Sequence, residues 1–167
     1  MLPTLLATSY RMAATTANKA IFTHANSADR TYTLPNSSMT LGTSFAMGTL
    51  TRVTDAASGN VAYTGVGFTP RLVIFLMGRS GGADVRMSVG VDNGTAHYAV
   101  SGDRGAADYT TIHQFRSDAS ISWEENGTTT RQHGSITTLD SDGFTIAWTK
   151  TGAPNSITAN VGYVAIG

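Results

Sequence analysis

The chain has 167 residues with 11 basic and 11 acidic side chains, so its formal net charge is zero. Only 13% of its residues are charged, and no basic run or excess is present of the kind that phosphate binding by a nucleic-acid binder requires. The absence of cysteine excludes disulfides and thiolate metal sites, and no apolar run approaches the ~20 residues of a membrane span.

The N-terminal region, residues 1–44, is rich in Thr, Ala, Ser and Asn and contains few large apolar residues. Such a segment cannot bury enough surface to fold alone, so we predict an extended arm that becomes ordered against a partner. Residues 19–23 and 30–34 are short β-like segments within it. The first residues lack the basic and apolar regions of a signal peptide, which favours folding in a cytoplasm. The residues expected to anchor the arm are Tyr10, Arg11, Lys19, Ile21, Phe22 and Arg30.

Residues 45–167 contain short segments rich in Thr, Val, Ile and aromatic residues, separated by Gly, Asn and Asp. This pattern predicts an all-β domain, an antiparallel β-sandwich of the jelly-roll or lectin-like type. Turns are expected at Asn93-Gly94, Asn126-Gly127 and Asp142-Gly143. The apolar run at residues 71–77 predicts a central strand buried on both faces. The predicted strands are residues 45–53, 61–64, 71–77, 84–91, 95–101, 110–116, 120–125, 128–139, 144–149 and 156–166.

Two short motifs could suggest chemistry, but their surroundings favour loops. Residues 78–82 match the G-x-S-x-G pattern of a hydrolase nucleophile elbow, which requires a helix after the serine. The residues that follow predict a strand, so a Gly-rich loop is favoured. Residues 140–143 resemble the start of a calcium loop, but Thr151 stands where the closing glutamate is required. A tight turn is therefore favoured there.

The titratable residues give no catalytic or metal pattern. Glu124 and Glu125 are adjacent, and neighbouring residues on a strand point to opposite faces. They cannot form an acid/base pair, and we expect them at a solvated strand end. The four histidines, at positions 24, 97, 113 and 133, lack the spacing of a metal site, so hydrogen bonding is favoured over a metal site assembled in three dimensions. We predict a protein without enzymatic activity, cofactor or metal.

The aromatic residues divide between core and loops. Trp123, Trp148, Phe144 and Tyr163 are expected in the core, because Trp148 alternates with Phe144 and Ile146 along one strand face. Loops at residues 79–84, 92–98 and 102–109 are candidate recognition loops. The residues singled out in them are Arg79, His97, Tyr98, Arg104 and Tyr109.

Two sets of residues resemble proteins of bacteriophage particles. Residues 28–41, Ala-Asp-Arg-Thr-Tyr-Thr-Leu-Pro-Asn-Ser-Ser-Met-Thr-Leu, resemble an element of tail fibres and other trimeric virion surface proteins, with Asn36 and Met39 in place of the usual Asp and Gly. Residues 67–75, 142–148 and 161–167 are similar to a C-terminal domain of phage structural proteins and to the H-type lectin domain. That family is a small antiparallel sandwich that forms trimers or hexamers and binds sugars through loops. Only the three strands match, so no sugar-binding residue is transferred.

The resemblance implies a virion structural protein on the particle surface, and the size favours a trimeric capsid decoration (cement) protein that bridges neighbouring capsid subunits. The expected partners are other copies of the chain and the major capsid protein or other virion proteins, with no nucleic acid and no membrane. The alternative is a tail-fibre or receptor-binding protein that recognises host glycans.

The closing strand supports the expectation of assembly. Val161, Tyr163 and Ala165 alternate with Gly162, Val164 and Ile166, and neither set is polar. One face would contact the core and the other a sister subunit or the arm, which leads us to predict Tyr163 at or near a subunit seam.

Overall fold

The structure is a computed structural model of the chain, and it describes residues 9–12, 20–23, 44–79, 85–104, 111–126 and 129–167. Within these ranges the secondary structure consists of twelve β-strands and no helix, so the described residues include no helix able to cross a membrane. The strands are β1 (Ser9–Met12), β2 (Ala20–Thr23), β3 (Phe45–Val53), β4 (Gly59–Thr64), β5 (Leu72–Arg79), β6 (Val85–Asp92), β7 (His97–Arg104), β8 (Thr111–Arg116), β9 (Ile121–Asn126), β10 (Thr130–Asp140), β11 (Gly143–Thr151) and β12 (Thr158–Ile166).

The chain divides into two compact units, Met1–Leu41 and Gly42–Gly167. In the first unit, β1 and β2 pair antiparallel, with Tyr10 opposite Phe22 and Arg11 opposite Ile21. The predicted β-like segment at residues 19–23 therefore contains β2, whereas the segment at 30–34 lies outside the described residues. Tyr10 and Arg11 lie on a strand that the sequence did not predict.

The second unit is the predicted antiparallel β-sandwich. One sheet has six strands in the order β3-β12-β5-β6-β7-β8, and the other has four in the order β4-β11-β10-β9. All of their pairings are antiparallel. Several of the paired strands follow one another in the sequence, as β5, β6, β7 and β8 do. The closing strand β12 instead inserts between β3 and β5, so that the end of the chain lies inside the larger sheet.

The core lies between the two sheets and is centred on Phe144. This ring is fully buried and meets Phe75 of the facing sheet edge-on, with ring centroids 5.6 Å apart. Tyr163 contacts the same ring at 5.2 Å. Trp123 and Trp148 are buried as well, so the prediction that these aromatic residues form the core is confirmed. Edge-to-face packing of this kind suits the positive edges and negative faces of aromatic rings.

Most predicted strands are confirmed within one to three residues, and β3 has the predicted bounds. Two predictions need correction. Residues 102–104 belong to β7 rather than to a loop, because their backbones pair with those of β6 and β8. The strand predicted from residues 71–77 is central in its sheet but is not buried on both faces, since Leu76 is 51% exposed on the side away from the core.

Candidate interaction surface

The outer side of the six-stranded sheet collects the exposed large hydrophobic residues of the described part of the chain. Ten such side chains have exposed fractions of 36% to 70%, and the strand alternation places all ten on this side. We call this surface the apolar face. Its members are Phe45, Met47, Val53, Leu76, Met87, Val89, Val91, Tyr98, Val100 and Phe115.

The strand register makes the apolar face continuous. Residues directly opposite each other on paired strands point to the same side of the sheet. One cross-strand row spans all six strands and a second spans five of them. The first row contains Thr49, Gly162, Leu76, Val89, Val100 and Phe115, and the second contains Met47, Val164, Ile74, Val91 and Tyr98. Hydrophobic side chains therefore follow one another across the width of the sheet instead of being scattered.

The two outer faces of the sandwich differ sharply in polarity. Among the outward-facing side chains that the structure describes in the six-stranded sheet, none is charged. The outer side of the four-stranded sheet carries Arg131, His133 and Thr149. An antiparallel sheet that faces water on one side normally alternates apolar and polar residues. The four-stranded sheet follows this rule and the six-stranded sheet does not.

The exposed area of the apolar face is larger than that of the apolar patches found on typical monomers. Its ten members expose on the order of 1,000 Å² in total, whereas the largest apolar patch of a typical monomer is about 300–600 Å². Each partner of a stable protein complex contributes about 800 Å² to the interface. The apolar face therefore has the area of a protein interface.

The only exposed ring pair among the described residues lies at one margin of this face. Tyr98 and Phe115 stack with ring centroids 6.0 Å apart and an interplanar angle of 18°. Tyr98 was predicted as a recognition residue, and the structure places it on β7 instead of in a loop. Phe115 was not predicted, although its neighbours Gln114 and Arg116 are polar and indicate that it occupies the opposite side of its strand.

The predicted recognition residues do not form one site. β5 and β7 run in the same direction, so Arg79 and Arg104 end their strands at one end of the sheet, whereas His97 and Tyr98 begin β7 at the other. Seven residues along a strand separate the two ends by about 23 Å. Recognition by these loops stays a prediction, with the described candidates at two ends of the sheet, while Tyr109 lies outside the described residues.

His97 has a structural contact with a buried carboxylate. Its Nδ1 atom lies 3.4 Å from Oδ1 of Asp92, which is fully buried. Asp92 Oδ1 also accepts a hydrogen bond from the Gly94 N–H at 2.8 Å, and Oδ2 accepts one from the Ile136 N–H at 2.8 Å. The carboxylate therefore connects the β6-β7 turn to the opposite sheet.

Tyr163 faces the core rather than the outer side of β12. Its ring packs against Phe144, and it occupies the space above Gly48, where a Cβ atom would collide with it. The residues of β12 on the apolar face are instead Gly162, Val164 and Ile166. These three residues would form a seam on the outer side of β12. Tyr163 would lie on the core side of the same strand, behind that seam.

The arm anchors are only partly described. Tyr10 and Arg11 lie on β1, and Ile21 and Phe22 lie on β2. Lys19 and Arg30 lie outside the described residues. The pairing of β1 with β2 brings the four described anchors into two adjacent cross-strand pairs.

The expectation of solvated glutamates is wrong. Glu124 is 3% exposed, and its Oε1 lies 3.4 Å from the Arg116 guanidinium and accepts a hydrogen bond from Ser122 Oγ at 2.5 Å. Glu125 forms an ion pair with Arg86 at 2.8 Å. Both carboxylates are engaged in separate ion pairs, because successive strand residues point to opposite sides.

His133 lies beside this ionic cluster, across the strand pair from Ser122. Burial and the positive charges of Arg116 and Arg131 lower the pKa of His133 to about 4, although Asp118 acts in the opposite direction. Desolvation and neighbouring cations both disfavour the charged imidazolium. His133 is therefore neutral at pH 7.

Comparison with known proteins does not identify a family. No protein family, curated protein or solved structure matches this chain. Within the described ranges, no group of three or more His, Cys, Asp or Glu residues is arranged to hold a metal ion. The candidate site of this protein is therefore the apolar face, defined by its own geometry.

Proposed function

We propose that this chain is a structural subunit of a bacteriophage virion, a trimeric capsid decoration (cement) protein that stabilises the head by bridging neighbouring capsid subunits. The observation that carries the proposal of assembly is the apolar face. The assignment to a phage particle rests on the resemblance of residues 28–41, 67–75, 142–148 and 161–167 to phage structural proteins.

The occupant of the apolar face in this proposal is a sister subunit. Its exposed area of about 1,000 Å² reaches the ~800 Å² that each partner buries in a standard interface. No charged side chain among those described on this face would have to be desolvated when copies approach. The zero net charge of the whole chain also leaves little long-range repulsion between copies.

The protein would stabilise the shell through thermodynamic linkage between its binding and shell assembly. A protein that binds only the assembled shell lowers the free energy of that state by mass action, by about 2.7 kcal/mol at a concentration one hundred times its dissociation constant. The first unit supplies the contact to the shell, with Tyr10, Arg11, Ile21 and Phe22 on β1 and β2 as its anchors. Lys19 and Arg30 complete the proposed set of contacts.

Self-association is tested with lysine on each of the two outer faces. Leu76→Lys places a charge at the centre of the apolar face, and we expect it to abolish the trimer, so that the mass measured by analytical ultracentrifugation falls. Thr149→Lys places the same side chain on the polar outer face of the four-stranded sheet, and it should leave the mass unchanged. If Leu76→Lys sediments like the unmodified chain while remaining folded, the apolar face is not the contact between subunits.

The role in the particle is tested by depletion. Phage heads assembled without this protein should release their DNA at a lower temperature and resist osmotic shock less well, and adding the purified protein back should restore both. Hundreds of copies per particle are expected by quantitative mass spectrometry. Depleted heads with undiminished thermal and osmotic stability would contradict the decoration function.

One observation favours the alternative of a receptor-binding protein that recognises host glycans. Tyr98 and Phe115 are 46% and 69% exposed and stack in parallel, and such rings offer an apolar surface with a polar tip at Tyr98. This alternative predicts a few copies at the tail and a glycan-array signal that Tyr98→Ala abolishes. An array without any binding would reject it.

A further inference from the structure

β3 is an outermost strand of the six-stranded sheet, and its partner among the described strands is β12. The Gly167 N–H donates to the Ser44 carbonyl, and the Thr54 N–H donates to the Ile157 carbonyl. Even-numbered residues of this segment therefore direct their backbone groups towards β12. Since alternate residues of an antiparallel strand point to opposite sides, the odd-numbered residues from 45 to 53 direct theirs towards the free edge.

Among the residues that the structure describes, this edge lacks the features that keep sheet edges from pairing. Proteins block edges with lysine, proline, bulges or a covering segment. β3 has nine residues, contains no lysine or proline, and pairs with β12 without a register shift. Its single charged residue, Arg52, lies over the Trp148 ring, 5.1 Å from the centroid, on the core side. The edge of β3 that faces away from β12, which no described strand pairs with, is therefore long, regular and uncharged.

We propose that β3 pairs antiparallel with β3 of a second copy of this chain across a two-fold axis. Only the register with Thr49 on the axis pairs all nine residues. It places Phe45 opposite Val53 of the second copy, and Met47 opposite Thr51. Aromatic residues opposite β-branched residues and Thr opposite Thr are favourable cross-strand pairs, whereas like charges would be unfavourable and are absent here.

This contact is independent of the proposed function. Pairing at β3 joins two six-stranded sheets edge to edge, and it makes the apolar faces of the two copies continuous because Phe45, Met47 and Val53 belong to that face. Combined with a trimer formed through the apolar face, a two-fold contact whose axis is perpendicular to the three-fold axis builds a hexamer. Without that trimer, it builds a dimer.

Single cysteines test the register directly, because the chain has no native cysteine. We expect Thr49→Cys to form a disulfide-linked dimer under mild oxidation on a non-reducing gel, since residues paired directly across strands have the Cα separation that a disulfide requires. Thr51→Cys is the matched control, because its copies would lie about 13 Å apart along the strands. A mixture of Thr51→Cys and Met47→Cys should link again. Absence of the Thr49→Cys link, or equal linking by Thr51→Cys alone, would overturn the proposed pairing.

A proline variant tests the same edge without cross-linking. The Thr49 N–H points away from β12, so Thr49→Pro removes a hydrogen bond of the proposed interface and none of the sheet, whereas Thr49→Val retains the N–H. We expect Thr49→Pro to halve the mass in sedimentation at nearly unchanged Tm, and Thr49→Val to keep the mass of the unmodified chain. An unchanged mass for Thr49→Pro would refute the pairing.

The two contacts are separated by combining variants. In the Leu76→Lys background, the Thr49→Cys link is expected to persist, because the edge does not depend on the centre of the apolar face. Loss of the link in that background would mean that β3 pairing is only a consequence of apolar-face association, and the inference would be wrong.

Discussion

Gly90 on β6 is a position where the sandwich has no room for a side chain. A Cβ atom there would collide with the carbonyl oxygen of Ser120, lie 2.6 Å from the carbonyl oxygen of Tyr98, and lie 2.8 Å from the carbonyl carbon of Ser120. All of these are backbone atoms and cannot rotate away. We therefore expect Gly90→Ala to displace the start of β9 from the six-stranded sheet.

The loss of stability expected for Gly90→Ala follows from the contacts that a displaced β9 would lose. The Ser122 N–H donates to Ser88 Oγ at 3.2 Å in a buried setting, and Ile121 is fully buried at the same crossing. Inserting one methyl group into a packed site typically costs about 1–3 kcal/mol, and rigid neighbours on both sides place Gly90→Ala at about 3 kcal/mol. At roughly 2–4 °C per kcal/mol for a chain of this size, the Tm should fall by roughly 6–12 °C.

Gly78→Ala is the matched control. Gly78 lies on the adjacent strand β5, and a Cβ there meets no atom within 4 Å. Because glycine inside a strand is less favourable than alanine by roughly 0.5–1 kcal/mol, this variant should be slightly more stable than the unmodified chain. Urea unfolding followed by the fluorescence of the two buried tryptophans measures both variants at one protein concentration. A Gly90→Ala variant within about 0.5 kcal/mol of the unmodified chain would refute the argument.

Asp92→Ala leaves the buried Ile136 N–H, the partly buried Gly94 N–H and a histidine without their acceptor, so the free energy of unfolding in urea should fall by about 3 kcal/mol. His133 has a pKa of about 4 in the folded chain against 6.5 unfolded, so the unfolded chain binds more protons between these values and stability should fall as the pH drops from 6.5 to 4. His133→Gln should remove about 1–2 kcal/mol of that loss, allowing for solvent screening of the partly exposed ring, and an equal pH dependence in both proteins would contradict the assignment. Tyr63→Phe removes the hydroxyl that accepts from Trp148 Nε1 at 3.2 Å and should cost about 1 kcal/mol in thermal unfolding, with a change in tryptophan emission.

Turn dipeptides and the alternation of apolar residues predicted the sandwich, because both depend on interactions between residues that are close in the sequence. The Asn93-Gly94 turn was predictable, since Gly94 adopts a φ of 80° that other residues rarely tolerate. The alternation of Phe144, Ile146 and Trp148 likewise identified the buried side of β11. These signals lie within a few residues of one another and need no knowledge of distant contacts.

The buried polar contacts could not be predicted in the same way. Asp92 is buried because its carboxylate accepts from the N–H of Ile136, which is 44 residues away. Glu124 is buried because Arg116 and Ser122 lie against it. A charged residue at a strand end gives no sign of such partners in the sequence, so solvent was the natural expectation.

The apolar face shows most clearly what a strand pattern can and cannot establish. The run from Leu72 to Met77 is apolar at every position, and such a run predicts cover on both sides. The sandwich covers only one side of β5, with Val73 and Phe75 buried and Leu76 half exposed. The pattern correctly indicated a central strand, but it did not distinguish a strand covered on both sides from one covered on one side. The described residues of this unit leave the outer side of the sheet open, and the self-association that we propose would cover it.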